Sequence, residues 1–121
     1  MTTLTESRAA GEFIISEANG HRSRSQAVVK SGENLKAGHV VGIVTSTGKV
    51  VEWTSGATNG SQNVAGVMFA PVDAAGADAY GTLIVRDAEV TRADLTFFSA
   101  ATAANKNTAV AELEALGIIA R

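Results

Sequence analysis

The sequence predicts a mainly β, α+β domain: a small mixed β-barrel-like body with one C-terminal helix and a flexible N-terminal arm. Three observations carry this. Short blocks of Val and Ile alternate with Gly, Asn, Ser and Thr turns from about residue 13 to residue 90. Branching at Cβ stiffens χ1 and suits a pleated strand better than a helix. One late stretch, 105–116, has helical spacing instead. The first residues, 1–12, show no hydrophobic period at all, as a frayed terminus does. The expected division is therefore an arm over 1–12 and a single domain over 13–121.

Phe13-Ile14-Ile15 opens the first strand, which the Asn19-Gly20 turn closes. His21-Arg22-Ser23-Arg24-Ser25 is a short basic loop. Phosphate binding recruits more cations than this, so a solvated loop is the simpler reading. Gln26 to Lys30 is a second strand, and Ser31-Gly32-Glu33-Asn34 turns the chain toward the central hairpin.

That hairpin, Leu35 to Trp53, is the stretch on which the rest is expected to pack. Leu35-Lys36-Ala37-Gly38 delivers the chain into Val40-Val41-Gly42-Ile43-Val44, a nearly continuous apolar run that should be buried on both faces. Thr45 to Gly48 reverses it, with Gly48 free to take φ > 0. Val50, Val51 and Trp53 form the return strand, with Lys49 and Glu52 pointing outward. The same residues imitate a phosphate-binding loop, Gly42 to Val50. The imitation fails, because five residues separate the glycines where the motif has four, Val50 stands where a Ser or Thr would hold magnesium, and a strand follows instead of a helix.

Thr54 to Asn63 is a polar loop. Val64 to Val72 is the next strand, with Gly66 allowing a close backbone approach and Pro71 marking an edge. Asp73 to Gly81 reads as an Ala/Gly loop, and Thr82 to Val85 as a buried strand. Arg86 to Val90 continues that strand or pairs back on it, with Asp87 and Glu89 on one side. Leu95, Phe97 and Phe98 are further core candidates. Asn105 or Asn107 is placed to cap a helix running to about Leu116. Val110, Leu113 and Leu116 fall on its apolar face, which Ala109 widens, and Glu112 and Glu114 face water. Gly117 suits the left-handed position after the helix, where Ile118 can cover Leu113. Ile118-Ile119 is a last apolar pair.

The 121 residues fit one domain, able to bury roughly two thirds of its unfolded surface. Apolar residues make up 45%, which excludes a disordered tail. A net charge of −2 gives no general attraction to nucleic acid. No apolar run reaches the ~20 residues of a membrane span, and the N-terminal residues have no signal-peptide core. The expectation is a protein made in the cytoplasm, without nucleic-acid or membrane partners. Cysteine is absent, so disulfide and thiolate chemistry are excluded.

Candidates for catalysis are sparse. The two histidines, His21 and His39, lack metal-ligand spacing. His39 begins an apolar strand and has no evident orienting partner. Asp87 and Glu89, two apart on one strand face, are the only pair that suggests shared acid chemistry. Asp73 and Asp78 lack the spacing of a calcium loop. Trp53 and the 54–63 loop would frame a pocket if the domain were a small ligand-binding barrel; a core or interface tryptophan is the alternative. The residues themselves name no reaction, no cofactor and no metal, and the expectation is a non-enzyme.

Several segments together resemble the head decoration proteins of tailed bacteriophages, the family of the lambda head-stabilising protein. They are Leu35-Lys36-Ala37-Gly38-His39-Val40-Val41-Gly42, Thr47-Gly48-Lys49-Val50-Val51, Val64-Ala65-Gly66-Val67 and Pro71-Val72-Asp73-Ala74-Ala75-Gly76-Ala77-Asp78. Glu89-Val90, Leu95 and Ala111-Glu112-Leu113-Glu114-Ala115-Leu116-Gly117-Ile118-Ile119 complete the pattern, which covers roughly 13–121. The resemblance implies a β-tulip type of domain, a homotrimer, and a structural, non-catalytic role as a capsid cement. Its partner is then the major capsid protein of a phage head. Trimers would sit on the outer surface of the expanded head at local three-fold positions, in the virion, after synthesis in the host cytoplasm. The arm would order on the capsid, adding backbone pairing there. The expected contact residues are Thr2, Thr3, Leu4, Arg8 and Phe13, with Leu4 and Phe13 as apolar anchors and Arg8 as a charged contact. This arm lacks the proline-rich character of some relatives.

Overall fold

The computed structural model describes residues 9–121. The chain forms a mainly β fold with one C-terminal helix, organised around a closed five-stranded barrel. The barrel strands are β2 (Arg24–Val29), β4 (Val40–Ile43), β5 (Val50–Glu52), β6 (Val64–Met68) and β8 (Ala79–Ile84), arranged β2-β5-β4-β6-β8. All neighbours are antiparallel except β2 and β5, which meet in parallel at Val29 and Val50. The pair β3 (Asn34–Leu35) and β7 (Val72–Asp73) lies apart as a two-stranded ribbon. A second sheet has the order β1-β9-β10, with β1 (Ile14–Glu17) antiparallel and β10 (Ile118–Ala120) parallel to β9 (Ala88–Val90). A 3-10 turn, Arg92–Asp94, and α1 (Ala103–Ala115) connect β9 to β10.

Two cores follow from the period-2 alternation of the strands. Val29, Val41, Val50, Met68 and Leu83, one from each barrel strand, fill the barrel with Leu35 and Ala74. Val40, Val64, Val67 and Ile84 point outward from the wall and pack with Phe13, Ala88, Val90, Leu95, Ala109, Leu113 and Ile118. The second core thus joins barrel, three-stranded sheet and helix. Val40 and Val41 are both fully buried, each in a different core, so the first half of the expected two-faced burial holds. Ile43, at the barrel end, is 37% exposed and departs from it.

The hairpin formed as expected, with Ile43 opposite Val50 and Gly48 at φ 70° in the turn, where no helix follows. Other boundaries moved. The expected strand over 64–72 breaks after Met68, and Val72 pairs instead with Leu35 across Pro71. Ala79, Tyr80 and Gly81, expected as loop, are strand. They continue the long β2–β8 ladder opposite Val29, Val28 and Ala27. Small residues have low strand propensity, and the cross-strand partner overrides it. The segment 86–90 neither extends β8 nor pairs with it. Asp87 takes φ 52°, turning the chain out of the barrel into the other sheet.

The helix begins three residues before the first expected cap. Thr102 is the N-cap: its hydroxyl accepts the Asn105 N–H at 3.2 Å, and Asn105 Oδ1 accepts the Thr102 N–H at 3.0 Å. This reciprocal box satisfies two donors that the helix start leaves open. The buried face is centred on Ala109 and Leu113, an i, i+4 pair, and Leu116 is 36% exposed. Glu112, expected to face water, accepts the Val64 N–H at 3.1 Å and so ties the helix to β6. Gly117 has φ 90° and donates its N–H to Glu114 at 2.9 Å, which releases Ile118 into the core beside Leu113.

Candidate interaction surface

The three-stranded sheet brings both ends of the described chain to the same end of its strands, one on each side of β9. Ile14 and Ala120 flank Val90 from opposite sides. Just beyond, the Thr91 N–H donates to the Phe13 carbonyl at 2.8 Å, and the Arg92 N–H donates to the Arg121 carbonyl at 2.9 Å. Phe13 and Arg121 therefore lie at the same end of the sheet.

Residues 9–12 form a turn fixed to the barrel. The Gly11 N–H donates to the Phe69 carbonyl at 2.9 Å, and the Glu12 carboxylate accepts the Ala9 N–H at 3.0 Å. Phe69 in turn carries the Arg24 guanidinium 4.0 Å over its ring. Arg24 is held from its other side by Glu17, through Nη2 to Oε1 and Nε to Oε2, and the buried Ser23 hydroxyl donates to the same carboxylate. The fork to Arg24 holds the Glu17 carboxyl below its ordinary value, and Glu17 raises Arg24 in return. The basic loop is thus a structural clamp. Arg22 pairs with Asp87 at 3.4 Å, and Arg86 donates to the Arg22 carbonyl.

The expected contact residues fall into two groups. Thr2, Thr3, Leu4 and Arg8 lie outside the described residues. Phe13 is 0% exposed, so its ring belongs to the core of the body and its carbonyl is taken up within the sheet. Its burial was not legible from the sequence, because Phe13 begins an apolar run after a polar tail, as an anchor would also do.

The other candidates are accounted for by packing. Asp87 and Glu89 do not share a site: Asp87 sits at the turn with Arg22, and Glu89 pairs with Arg121 at 3.2 Å. His39 is buried, with Nε2 2.5 Å from Glu52 Oε2. Glu52 therefore reaches back along the hairpin to a partner. The Nδ1 atom is buried without a hydrogen-bond partner. Trp53 is 1% exposed, donates its indole N–H to the Gln62 carbonyl at 2.8 Å, and meets Phe98 edge to face. It closes the 54–63 loop onto the core and offers no stacking face. Asp78 pairs with Lys49 at 2.6 Å and accepts the Ser31 N–H; these bonds, the lysine's first, hold its carboxyl below its ordinary value. Among the described residues no group of three His, Asp or Glu side chains is placed to hold a metal ion.

The exposed apolar surface was not foreseen. Tyr80 is 83% exposed on β8, and Ile15 is 51% exposed on the edge strand β1. Their presence is what a chain that works by contact with other chains needs, though single exposed apolar residues also occur on any surface.

No curated protein sequence matches the chain. The sequence model for the bacteriophage lambda head decoration protein D family matches residues 3–118, nearly its whole length. This chain, with its mainly β body, closed small barrel and one late helix, belongs to the bacteriophage lambda head decoration protein D family, whose proteins decorate phage heads.

Proposed function

We propose that this protein is a capsid cement: a homotrimer that binds the outer surface of the expanded phage head at local three-fold positions and stabilises it. The observation that carries the reading is the family match, which begins at residue 3 and so takes in the polar N-terminal segment along with the body. The partner is the major capsid protein. Residues 1–8, with Thr2, Thr3, Leu4 and Arg8 as contacts, order on that shell and add a strand to it, because strand addition needs only free backbone and a few side-chain anchors. Phe13 fixes the root of this arm in the core.

The mechanism is physical. Each arm contact is weak alone. Three arms on one trimer act together through effective concentration. A trimer that binds the expanded lattice and not its precursor stabilises the expanded state by mass action. The body contributes rigidity and needs no reactive group.

The test is co-sedimentation of the purified protein with expanded and unexpanded heads, using the full chain and a chain lacking residues 1–8. The full chain is expected to pellet with expanded heads only. The shortened chain keeps every contact described above and is expected to stay trimeric and folded yet remain in the supernatant. Equal pelleting of both chains would remove the arm from the mechanism, and a monomeric full chain that ignores expanded heads would overturn the reading.

A further inference from the structure

The 3-10 turn, α1 and the residue after β10 border an open, shallow cavity of about 470 Å³, lined by Arg92, Ala93, Leu95, Phe97, Lys106 and Arg121. Its lining carries three cationic side chains and no acidic one. Arg92 and Lys106 are exposed, and neither forms an ion pair among the described residues. Arg92 is held by a neutral partner, donating to Asn107 Oδ1 at 2.5 Å. Lys106 lies 5.7 Å over the Phe97 ring. Arg121 is offset in part by Glu89 at 3.2 Å, a residue outside the lining. Asp94, in the same 3-10 turn, is already engaged in an interaction of its own. The floor, Leu95 and Phe97, is apolar. The contrast with the cavity beside the basic loop is informative: there Arg24 is already neutralised by Glu17.

We propose that this cavity is a docking pocket for an acidic segment of the shell protein, with a carboxylate read by the guanidinium groups and an adjacent apolar side chain laid on Phe97 and Leu95. The inference rests on the capsid-cement reading and adds the partner's chemistry. A planar guanidinium matches a carboxylate in two-point geometry, whereas water solvates it without shape. The apolar Leu95 and Phe97 side chains beside the charges let a covering partner exclude water from the contact, as at the centre of a protein interface. Position supports the same occupant. Arg92 and Arg121 are joined by a backbone hydrogen bond immediately beyond the Phe13–Thr91 bond, so pocket and arm root lie at the same end of the three-stranded sheet, on either side of β9. A shell engaged by the arm lies within reach of the pocket.

The test compares the full chain, R92E/K106E, and the control K30E/K36E, which makes the same charge change at two exposed lysines elsewhere. Each is mixed with expanded heads across a range of salt, after circular dichroism and sedimentation have fixed fold and oligomeric state. R92E/K106E is expected to keep the parent's fold and oligomer and to bind at least about tenfold more weakly, with a shallower salt dependence. The control is expected to bind within about twofold of the parent, since isolated surface charges contribute little. Parent-like binding by R92E/K106E overturns the proposal, as does an equal loss in the control. A change of oligomer in R92E/K106E also overturns it, by assigning the pocket to contacts between copies. Failure of the parent itself to bind expanded heads overturns the cement reading, and the pocket's assignment with it.

Discussion

The Phe13 carbonyl accepts the Thr91 N–H at 2.8 Å while the Phe13 ring is completely buried. One residue therefore does two things at the root of the N-terminal segment. Its backbone extends the β1–β9 ladder, and its side chain fills the space between barrel wall, sheet and helix. Phe13→Ala is expected to cost about 3–5 kcal/mol of stability, the range for a buried phenylalanine. Urea unfolding followed by Trp53 fluorescence measures it; a change below about 1 kcal/mol would show that the ring is not the keystone described here.

Gly66 lies against β8. A Cβ at this position would be 2.4 Å from the Ile84 carbonyl oxygen, a backbone atom that cannot swing aside. Gly66→Ala is expected to destabilise by about 1–3 kcal/mol through forced separation of β6 and β8, the cost of overpacking. The urea midpoint should fall with little change in slope.

Glu17 contributes stability that depends on acid. Its folded-state carboxyl is held below the ordinary value of 4.5 by Arg24, so the native state binds its proton less readily than the unfolded chain. That contribution is complete above the ordinary value and is lost as pH falls through the lower, folded-state one. Glu17→Gln is expected to cost of order 1 kcal/mol at neutral pH, and the difference from the parent should shrink in acid. Thermal unfolding of both proteins between pH 7 and pH 3 tests the sign. A constant difference across that range would assign the loss to packing instead.

Thr102 caps α1 through the reciprocal bonds with Asn105. Thr102→Ala is expected to cost about 1 kcal/mol, and Thr102→Ser to cost much less because the hydroxyl remains. Asn107→Ala should leave the cap intact, since Asn107 Oδ1 accepts from Arg92 instead. An equal loss from Thr102→Ala and Asn107→Ala would place the helix start where the sequence pattern alone put it.

The elements most legible in the sequence were those set by local chemistry. The Val-rich hairpin, the turn at Gly48 and the helix end at Gly117 each depend on residues within a few positions of one another. The helix start was misread because Thr102 lies before the periodic stretch, whereas Ala109 and Leu113, both on the expected apolar face, form its buried centre and Leu116 is left 36% exposed. The strand over Ala79 to Ile84 was shortened for a related reason: small residues look like loop until β2 supplies a partner. Of the interaction surface, the sequence offered only its polar first residues. Arg92 lies in the 3-10 turn, Lys106 in α1 and Arg121 just after β10, with no common spacing, and no linear pattern joins them.

By itself, then, the sequence determined a mainly β body without thiol chemistry, one late helix, the central hairpin and, through its segments, the family. Only the tertiary structure decided that Val40 and Val41 serve two different cores, that Phe13 is interior, that Arg24 is clamped to Glu17, and that three distant cations share one cavity. The reason is range. Turn geometry and side-chain alternation are fixed by neighbours along the chain, whereas strand partners and the meeting of remote side chains are fixed by which apolar faces close upon each other.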